Sequence, residues 1–205
     1  MNKKFLYFAG AILVVAILFF FFGRGSNIKN YPSNGTDIIA FGDSLVAGVG
    51  ATNDGTNLVS VLSRRIGKPI INLGVSGNTT SDGLARLNEL DKYNPKVVIV
   101  LLGGNDYLQK VPIDTTFANL EKIIINIQSR GAVVVLLGVR GGIISDKFDE
   151  RFEELAEKTD SAFVSNVLDG LITKNEYMAD AIHPNDTGYT KIATKVYPLL
   201  YKVIK

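Results

Sequence analysis

The stretch that decides the fold is Val97–Asp106, VVIVLLGGND. An uninterrupted apolar run rich in β-branched residues, ended by two glycines and two polar residues, is typical of a strand buried on both faces. Three similar runs and a weaker fifth occur along the chain: Ile38–Phe41, Ile70–Leu73, Val133–Leu137 and Ala162–Val164. The sequence therefore predicts a sheet of five strands.

Helical patterns lie between and after these runs, over Asn57–Ile66, Thr80–Leu90, Phe117–Ser129, Asp149–Lys158 and Asp186–Tyr201. Pro198 is expected to kink the last helix or to end it early. Strands that alternate with helices form a parallel sheet covered on both faces. We therefore predict a three-layer α/β/α sandwich with a flavodoxin-like sheet, whose ligand site lies at the carboxyl ends of the strands.

The first 22 residues carry a different pattern. The segment from Phe5 to Phe22 is apolar throughout, and no charge lies between Lys4 and Arg24. Such a stretch forms a helix of roughly 28 Å, close to the thickness of a bilayer core. We predict a transmembrane signal anchor over residues 1–22. A cleaved signal peptide stays open as an alternative, because small residues follow the apolar run.

Charges beside this segment predict its orientation. The amine of Met1, Lys3 and Lys4 outnumber Arg24 and Lys29. Basic residues remain on the cytoplasmic side, so the rest of the chain is expected outside the cell membrane. Cleavage of the segment would instead release a secreted protein.

Two further segments complete the predicted organisation. Residues 23–36, GRGSNIKNYPSNGT, read as a flexible linker, and residues 37–205 read as one domain.

From Asp37 onward the chain has 18 basic and 20 acidic side chains, without a basic run. This near-neutral balance argues against nucleic acid as a partner. With no cysteine and one histidine, the sequence offers no metal-ligand cluster, and we expect no cofactor.

Polar residues follow the predicted strands at the expected ligand edge. These are Gly42-Asp43-Ser44-Leu45, Gly74–Thr79 and Gly103–Asp106, and Asp180–Asn185 precedes the last helix. Taken singly, each is more often a turn or a helix cap than a catalytic motif. Their combination is more informative, because it includes His183, the one histidine of the chain.

Together these segments contain the parts of a serine hydrolase. The hydroxyl of Ser44 needs a base to become a nucleophile, and the imidazole of His183 is suited to that work. Asp180, three residues earlier, can fix the tautomer of the imidazole. Gly77, Asn105 and the N–H of Ser44 can stabilise an oxyanion.

These motifs resemble those of the SGNH/GDSL hydrolases. Ser44 lies in GDSL, Gly77 in VSGNT, Asn105 in GGND and His183 in DAIHPN, in the order of the four family blocks. The resemblance covers residues 37–200. It implies that Ser44 is the nucleophile, that Gly77 and Asn105 build the oxyanion hole, and that Asp180 orients His183.

The segments SGNTTSDGLARL, from Ser76 to Leu87, and GGNDYL, from Gly103 to Leu108, are similar to those of bacterial lysophospholipases, arylesterases and acyl-CoA thioesterases. The resemblance implies a serine esterase that cleaves a small acyl ester, a lysophospholipid or a thioester. A carbohydrate or peptidoglycan O-acetylesterase stays open, as do a flavodoxin-like binding module and an inactive scaffold. The loops after Asp106 and over Gly138–Gly142 are expected to set acyl selectivity.

Overall fold

The computed structural model describes residues 27–139 and 147–205. The predicted anchor over residues 1–22 lies outside the described residues, as does the start of the predicted linker. Within the described part of the chain, every helix is too short or too polar to cross a bilayer.

The predicted five-stranded sheet is confirmed. Its strands are β1 (Asp37–Gly42), β2 (Ile71–Gly74), β3 (Pro95–Leu101), β4 (Val133–Leu137) and β5 (Ala162–Val164). All pairings are parallel, in the order β2-β1-β3-β4-β5. Gly42 pairs with Gly74 on one side and with Leu101 on the other, so three strands end at the same level. The loops that follow them meet at one edge.

Seven α-helices are described: α1 (Ser44–Ala47), α2 (Leu58–Ile66), α3 (Thr80–Ala85), α4 (Gly104–Leu108), α5 (Ile113–Ser129), α6 (Lys147–Lys158) and α7 (Asp186–Val203). Helix α2 packs against α7, while α5 contacts both α3 and α6. These two groups form the layers on either side of the sheet. The side chains of β4 are fully buried between them, which explains its unbroken apolar sequence.

The predicted helix Thr80–Leu90 is interrupted. Helix α3 ends at Ala85, and a 3₁₀ helix follows over Leu87–Lys92. Arg86 lies at the junction, with its φ at −108° and its N–H bonded to the carbonyl of Gly83. Its guanidinium reaches across to the sheet, a contact that helical periodicity does not reveal.

Two other helix boundaries differ from the prediction. Helix α5 begins at Ile113, directly after Pro112, one turn earlier than its apolar pattern indicated. Helix α7 continues to Val203, so the expectation that Pro198 ends it early is wrong. Pro198 is exposed while Leu200 and Val203 are buried, and burial of these two residues holds the last turn on the sheet.

Residues 28–36 pack against the domain, although the sequence predicts a flexible linker there. The amide of Asn30 donates to the carbonyl of Ala132 at 2.9 Å, and the hydroxyl of Ser33 donates to the carbonyl of Gly131 at 2.7 Å. Both acceptors precede β4, so this segment lies along the amino-terminal edge of the sheet.

Candidate active site

Ser44 lies at the carboxyl-terminal edge, immediately after β1. It opens the short helix α1, whose N-cap is Asp43: the carboxylate accepts a hydrogen bond from the N–H of Leu45 at 3.0 Å. Glycine is needed at residue 42, where β1 ends against β3, because a Cβ there would lie 2.4 Å from the carbonyl oxygen of Leu101. The Gly-Asp-Ser segment is therefore a capped turn that also presents a serine.

His183 joins Ser44 and Asp180. Its Nε2 lies 3.1 Å from the Ser44 Oγ, and its Nδ1 lies 2.7 Å from the Asp180 Oδ2. The other carboxylate oxygen of Asp180 accepts from the N–H groups of Ile182 and His183, at 2.9 Å and 2.8 Å. The structure thus brings the predicted base within hydrogen-bonding distance of the predicted nucleophile and acid.

The hydrogen bond from His183 is the main cause that lowers the pKa of Asp180 to about 2, and the two backbone N–H groups add to it. The group is therefore a carboxylate at any working pH of an ordinary enzyme. A carboxylate beside Nδ1 favours the tautomer with the proton on that nitrogen, which leaves Nε2 free to accept the Ser44 proton.

The loop that carries this pair is fixed by the start of α7. The Asn185 side chain caps that helix by accepting from the N–H groups of Thr187 and Gly188, both at 3.0 Å. One turn later, the buried Tyr189 donates to the carbonyl of Val49 at 2.6 Å. Val49 follows α1, so this bond links the helix behind His183 to the helix that begins with Ser44.

Asn105 also reaches the site. It lies in the first turn of α4, borders the same cavity as Ser44, and donates through Nδ2 to the carbonyl of Asn78 at 2.9 Å. A side-chain amide has two N–H donors. One fixes the orientation of the group here, and the second can serve a bound oxyanion.

Gly77 lies in the exposed turn between β2 and α3, with its φ at +81°. The turn begins with a hydrogen bond from the N–H of Val75 to the carbonyl of Gly42, so it lies beside the end of β1. A Cβ at residue 77 would meet no atom within 4 Å. The backbone conformation, and not crowding, therefore favours glycine. The role of its N–H in the oxyanion hole stays a prediction.

Sequence reasoning missed two side chains that hold the loops together. The fully buried carboxylate of Asp106 accepts from the N–H of Thr80 at 2.8 Å and from its hydroxyl at 2.5 Å. Arg86 donates to the carbonyl of Gly42 at 2.8 Å and to the Asn78 side chain at 2.7 Å. The sequence shows Asp106 and Arg86 within polar segments, but it does not show which loops their side chains connect.

Asp43 is a third missed residue, and its surroundings are unusual. Its side chain is 3% exposed, and this burial raises its pKa to about 6 against the opposing effect of the Leu45 hydrogen bond. The sequence suggested only a helix cap at this position. The raised pKa results from burial in the folded structure, which the local sequence does not reveal.

A cavity of about 260 Å³ opens next to Ser44 and His183. Its apolar wall comprises Leu45, Tyr107, Leu108, Val139, Leu168, Ile172, Ala181 and Ile182. Tyr107 and Leu108 follow Asp106, and Val139 follows β4, so both loops predicted to set selectivity contribute to it; residues 140–142 lie outside the described part. Leu168 and Ile172, which follow β5, had no signal in the sequence pattern.

Comparisons with known proteins agree with these features. The GDSL-like Lipase/Acylhydrolase family matches residues 40–191. An arylesterase of Vibrio mimicus is 37% identical over 140 residues, covering 65% of this chain and 70% of that protein. The thioesterase 1/protease 1/lysophospholipase L1 of Escherichia coli K12 is 30% identical over 131 residues, covering 60% of this chain and 63% of that protein.

A solved structure gives the same result for the fold. The crystal structure of TesA superposes with a TM-score of 0.75 at 27% identity, covering 82% of this chain and 99% of the other. The family match spans most of the chain, and it includes Ser44 and His183. The chain therefore belongs to the GDSL-like lipase/acylhydrolase family and is a serine ester hydrolase.

Proposed function

We propose that this enzyme hydrolyses carboxylic esters or thioesters through an acyl-enzyme on Ser44. The observation that carries the proposal is the continuous hydrogen-bonded chain from the Ser44 Oγ through both ring nitrogens of His183 to Asp180. Ser44 and His183 border an apolar cavity, which suits the acyl portion of a substrate.

In the first step, the Ser44 Oγ attacks the acyl carbonyl while the Nε2 of His183 takes the hydroxyl proton. The tetrahedral intermediate then collapses, and His183 returns that proton to the leaving alcohol or thiol. Water enters, loses a proton to His183 and attacks the acyl-enzyme. The bond from the acyl carbon to the Ser44 Oγ then breaks, His183 returns the proton to that oxygen, and the acid is released. Asp180 stays ionised and steadies the imidazolium formed in each half.

The developing oxyanion needs donors that are held in place before the reaction. We assign this role to the N–H of Ser44, the N–H of Gly77 and the Nδ2 of Asn105. The hydrogen bond from Asn105 to the Asn78 carbonyl supports the assignment, because it fixes the amide without using both of its N–H groups.

The apolar wall of the cavity supports an acyl group longer than a bare acetyl. The E. coli relative is named a thioesterase and lysophospholipase, and the Vibrio relative an arylesterase. These names support esters and thioesters as the substrate class. We further propose that residues 1–22 anchor the enzyme in the cell membrane, with the domain on the extracytoplasmic side.

Labelling with a fluorophosphonate tests the nucleophile directly. The purified chain should form one covalent adduct, and the Ser44→Ala variant should form none. Ser81→Ala is a matched control, since Ser81 is an exposed serine on α3. Labelling that persists in Ser44→Ala would assign the reaction to another residue. Hydrolysis of p-nitrophenyl esters of increasing acyl length, beside an acyl-CoA and a lysophospholipid, would then rank the substrates.

A further inference from the structure

The segment after the predicted anchor is fixed to one edge of the sheet. The N–H of Lys29 donates to the carbonyl of Asp160 at 2.9 Å, next to the start of β5. The side chain of Asn30 donates to the carbonyls of Gln128 and Ala132, at 2.7 Å and 2.9 Å. The chain is thus attached to the domain two to three residues after residue 27.

The attachment continues across the whole edge. Ser33 bonds to the carbonyl of Gly131 before β4, and the N–H of Thr36 donates to the carbonyl of Asn94 before β3 at 2.9 Å. Ser33 itself is 8% exposed, although its partner Gly131 is exposed. Residues 28–36 therefore form a strap along the amino-terminal edge, and we refer to them as the amino-edge strap.

The catalytic residues lie at the other edge. Ser44 follows the carboxyl end of β1, and its neighbour β3 spans seven residues. A strand of that length covers about 23 Å. The strap and the cavity beside Ser44 are therefore separated by the full depth of the sheet.

Little chain remains between the predicted anchor and the strap. The apolar segment ends at Phe22, and five residues, 23–27, precede Ile28. Even fully extended, five residues reach roughly 17 Å. That reach is shorter than the depth of the sheet, so such a tether does not allow the domain to turn its cavity onto the bilayer that holds the anchor.

Charge distribution agrees with a membrane beneath the strap. Exposed lysines lie at this edge, on the strap, before β2 and β3, and at the end of α7: Lys29, Lys68, Lys92, Lys202 and Lys205. Among the acidic residues nearby, Asp91 pairs with Arg130, Asp37 accepts from the N–H of Asn94, and Asp160 is exposed before β5. Exposed lysines favour a surface of anionic lipid head groups.

We propose that the amino-edge strap holds the domain with its amino-terminal edge against the anchoring bilayer and its catalytic cavity facing away. The proposal rests on the anchor proposed above for residues 1–22. It narrows the substrate of the proposed esterase to esters that arrive from the aqueous side. Lysophospholipids within the anchoring bilayer are then poor substrates, because their acyl ester lies beneath the wrong edge.

Fluorescence energy transfer in vesicles tests the orientation. The chain has no cysteine, so one can be introduced at Asn34 on the strap or at Gln109 beside the cavity, both exposed. Each full-length variant is labelled with the same dye and reconstituted into vesicles that contain anionic lipid and a head-group energy acceptor in both leaflets. We expect transfer from residue 34 to exceed transfer from residue 109 several-fold.

Equal transfer at the two positions, or greater transfer at residue 109, would overturn the proposal. Absence of transfer at both would overturn it by showing that no anchor holds the chain. Neither result depends on catalysis. Failure of the orientation can therefore be told from failure of the esterase mechanism, which fluorophosphonate labelling of the same vesicles reports separately.

A second pair of variants tests the strap itself. Asn30→Ala with Ser33→Ala removes the side-chain hydrogen bonds of these two residues to the domain, while Asn34→Ala changes an exposed neighbour. Release of residues 28–36 would lengthen the tether to 14 residues, with a reach of roughly 48 Å. In the Gln109→Cys background, transfer should rise for the double variant and stay unchanged for Asn34→Ala. An unchanged signal in a double variant that still reacts with the probe would contradict the role of the strap.

Discussion

The Nε2 of His183 lies 3.1 Å from the Oγ of Ser44, although 139 residues separate the two in sequence. The contact exists because Ser44 follows the first strand and His183 precedes the last helix, and both positions lie at the carboxyl edge of a parallel sheet. The hydrogen bond from the Tyr189 hydroxyl to the Val49 carbonyl links these two elements.

Removing the charge of Asp180 should reduce catalysis far more than binding. In Asp180→Asn the amide no longer selects the tautomer with the proton on Nδ1, so kcat should fall by about 10³- to 10⁴-fold. Steady-state kinetics on a p-nitrophenyl ester measure this. Asp186→Asn is the control, because Asp186 is a nearby aspartate that bonds to Thr52 and not to His183. A loss of only a few-fold in Asp180→Asn would show that another group orients the histidine.

Truncation of Asn105 should act on the transition state. An oxyanion donor contributes little to ground-state binding, so Asn105→Ala should lower kcat by about 10²- to 10³-fold and change KM little. Asn119→Ala provides the comparison, since Asn119 bonds to Thr80 and does not line the cavity, so this variant should retain near wild-type kcat. If instead KM rose while kcat held, the amide would serve binding alone.

The wall contributed by Ile172 should influence acyl preference. Ile172 borders the cavity and is 37% exposed, whereas Ile125, 49% exposed, lies on α5 outside the cavity lining. Each lost apolar contact to the acyl chain is worth about 1 kcal/mol. Ile172→Ala should therefore lower the kcat/KM ratio of octanoyl to acetyl esters by about fivefold or more, while Ile125→Ala leaves it unchanged. An equal ratio in both variants would place the acyl chain elsewhere.

Burial of Asp43 predicts an unusual dependence of stability on pH. Its pKa rises from 3.8 to about 6 on folding, so between these values the folded protein binds more protons than the unfolded chain. The stabilisation from the protonated carboxyl is complete below about pH 4 and is lost as the pH rises through about 6. At 1.36 kcal/mol per pH unit, this contribution amounts to at most about 3 kcal/mol.

Urea unfolding of wild type and Asp43→Asn at pH 4.5 and pH 7 measures this effect. The variant should be more stable relative to wild type at pH 7 than at pH 4.5, because the wild-type carboxyl must ionise in its buried site at the higher pH. Asp82→Asn is the control. Hydrogen bonds from Thr79 lower the pKa of Asp82, so the stability that its ionised form contributes is present above its unfolded pKa of 3.8 and should be nearly the same at pH 4.5 and pH 7. Parallel pH profiles for wild type and Asp43→Asn would contradict the assigned pKa.

The strands were predictable because burial on both faces demands an unbroken apolar run, and β4 is such a run with every side chain buried. The extent of the predicted helix Thr80–Leu90 was not predictable. At its break, Arg86 donates to the carbonyl of Gly42, which lies 44 residues earlier in the chain. Local periodicity reports which face of a helix is apolar, but it carries no information about such distant partners.

The sequence by itself determined the chemistry. Ser44, Asp180 and the single histidine, His183, are predicted from residue type and order, with Ser44 after the first predicted strand and the other two before the last helix. The tertiary structure alone decided the distances between them, the burial that raises the pKa of Asp43, and the inclusion of Ile172 in the cavity. It also decided that residues 28–36 lie on the opposite edge from the site. The physical reason is the same in each case: these properties arise from contacts between segments far apart in the chain, and residue types alone do not specify them.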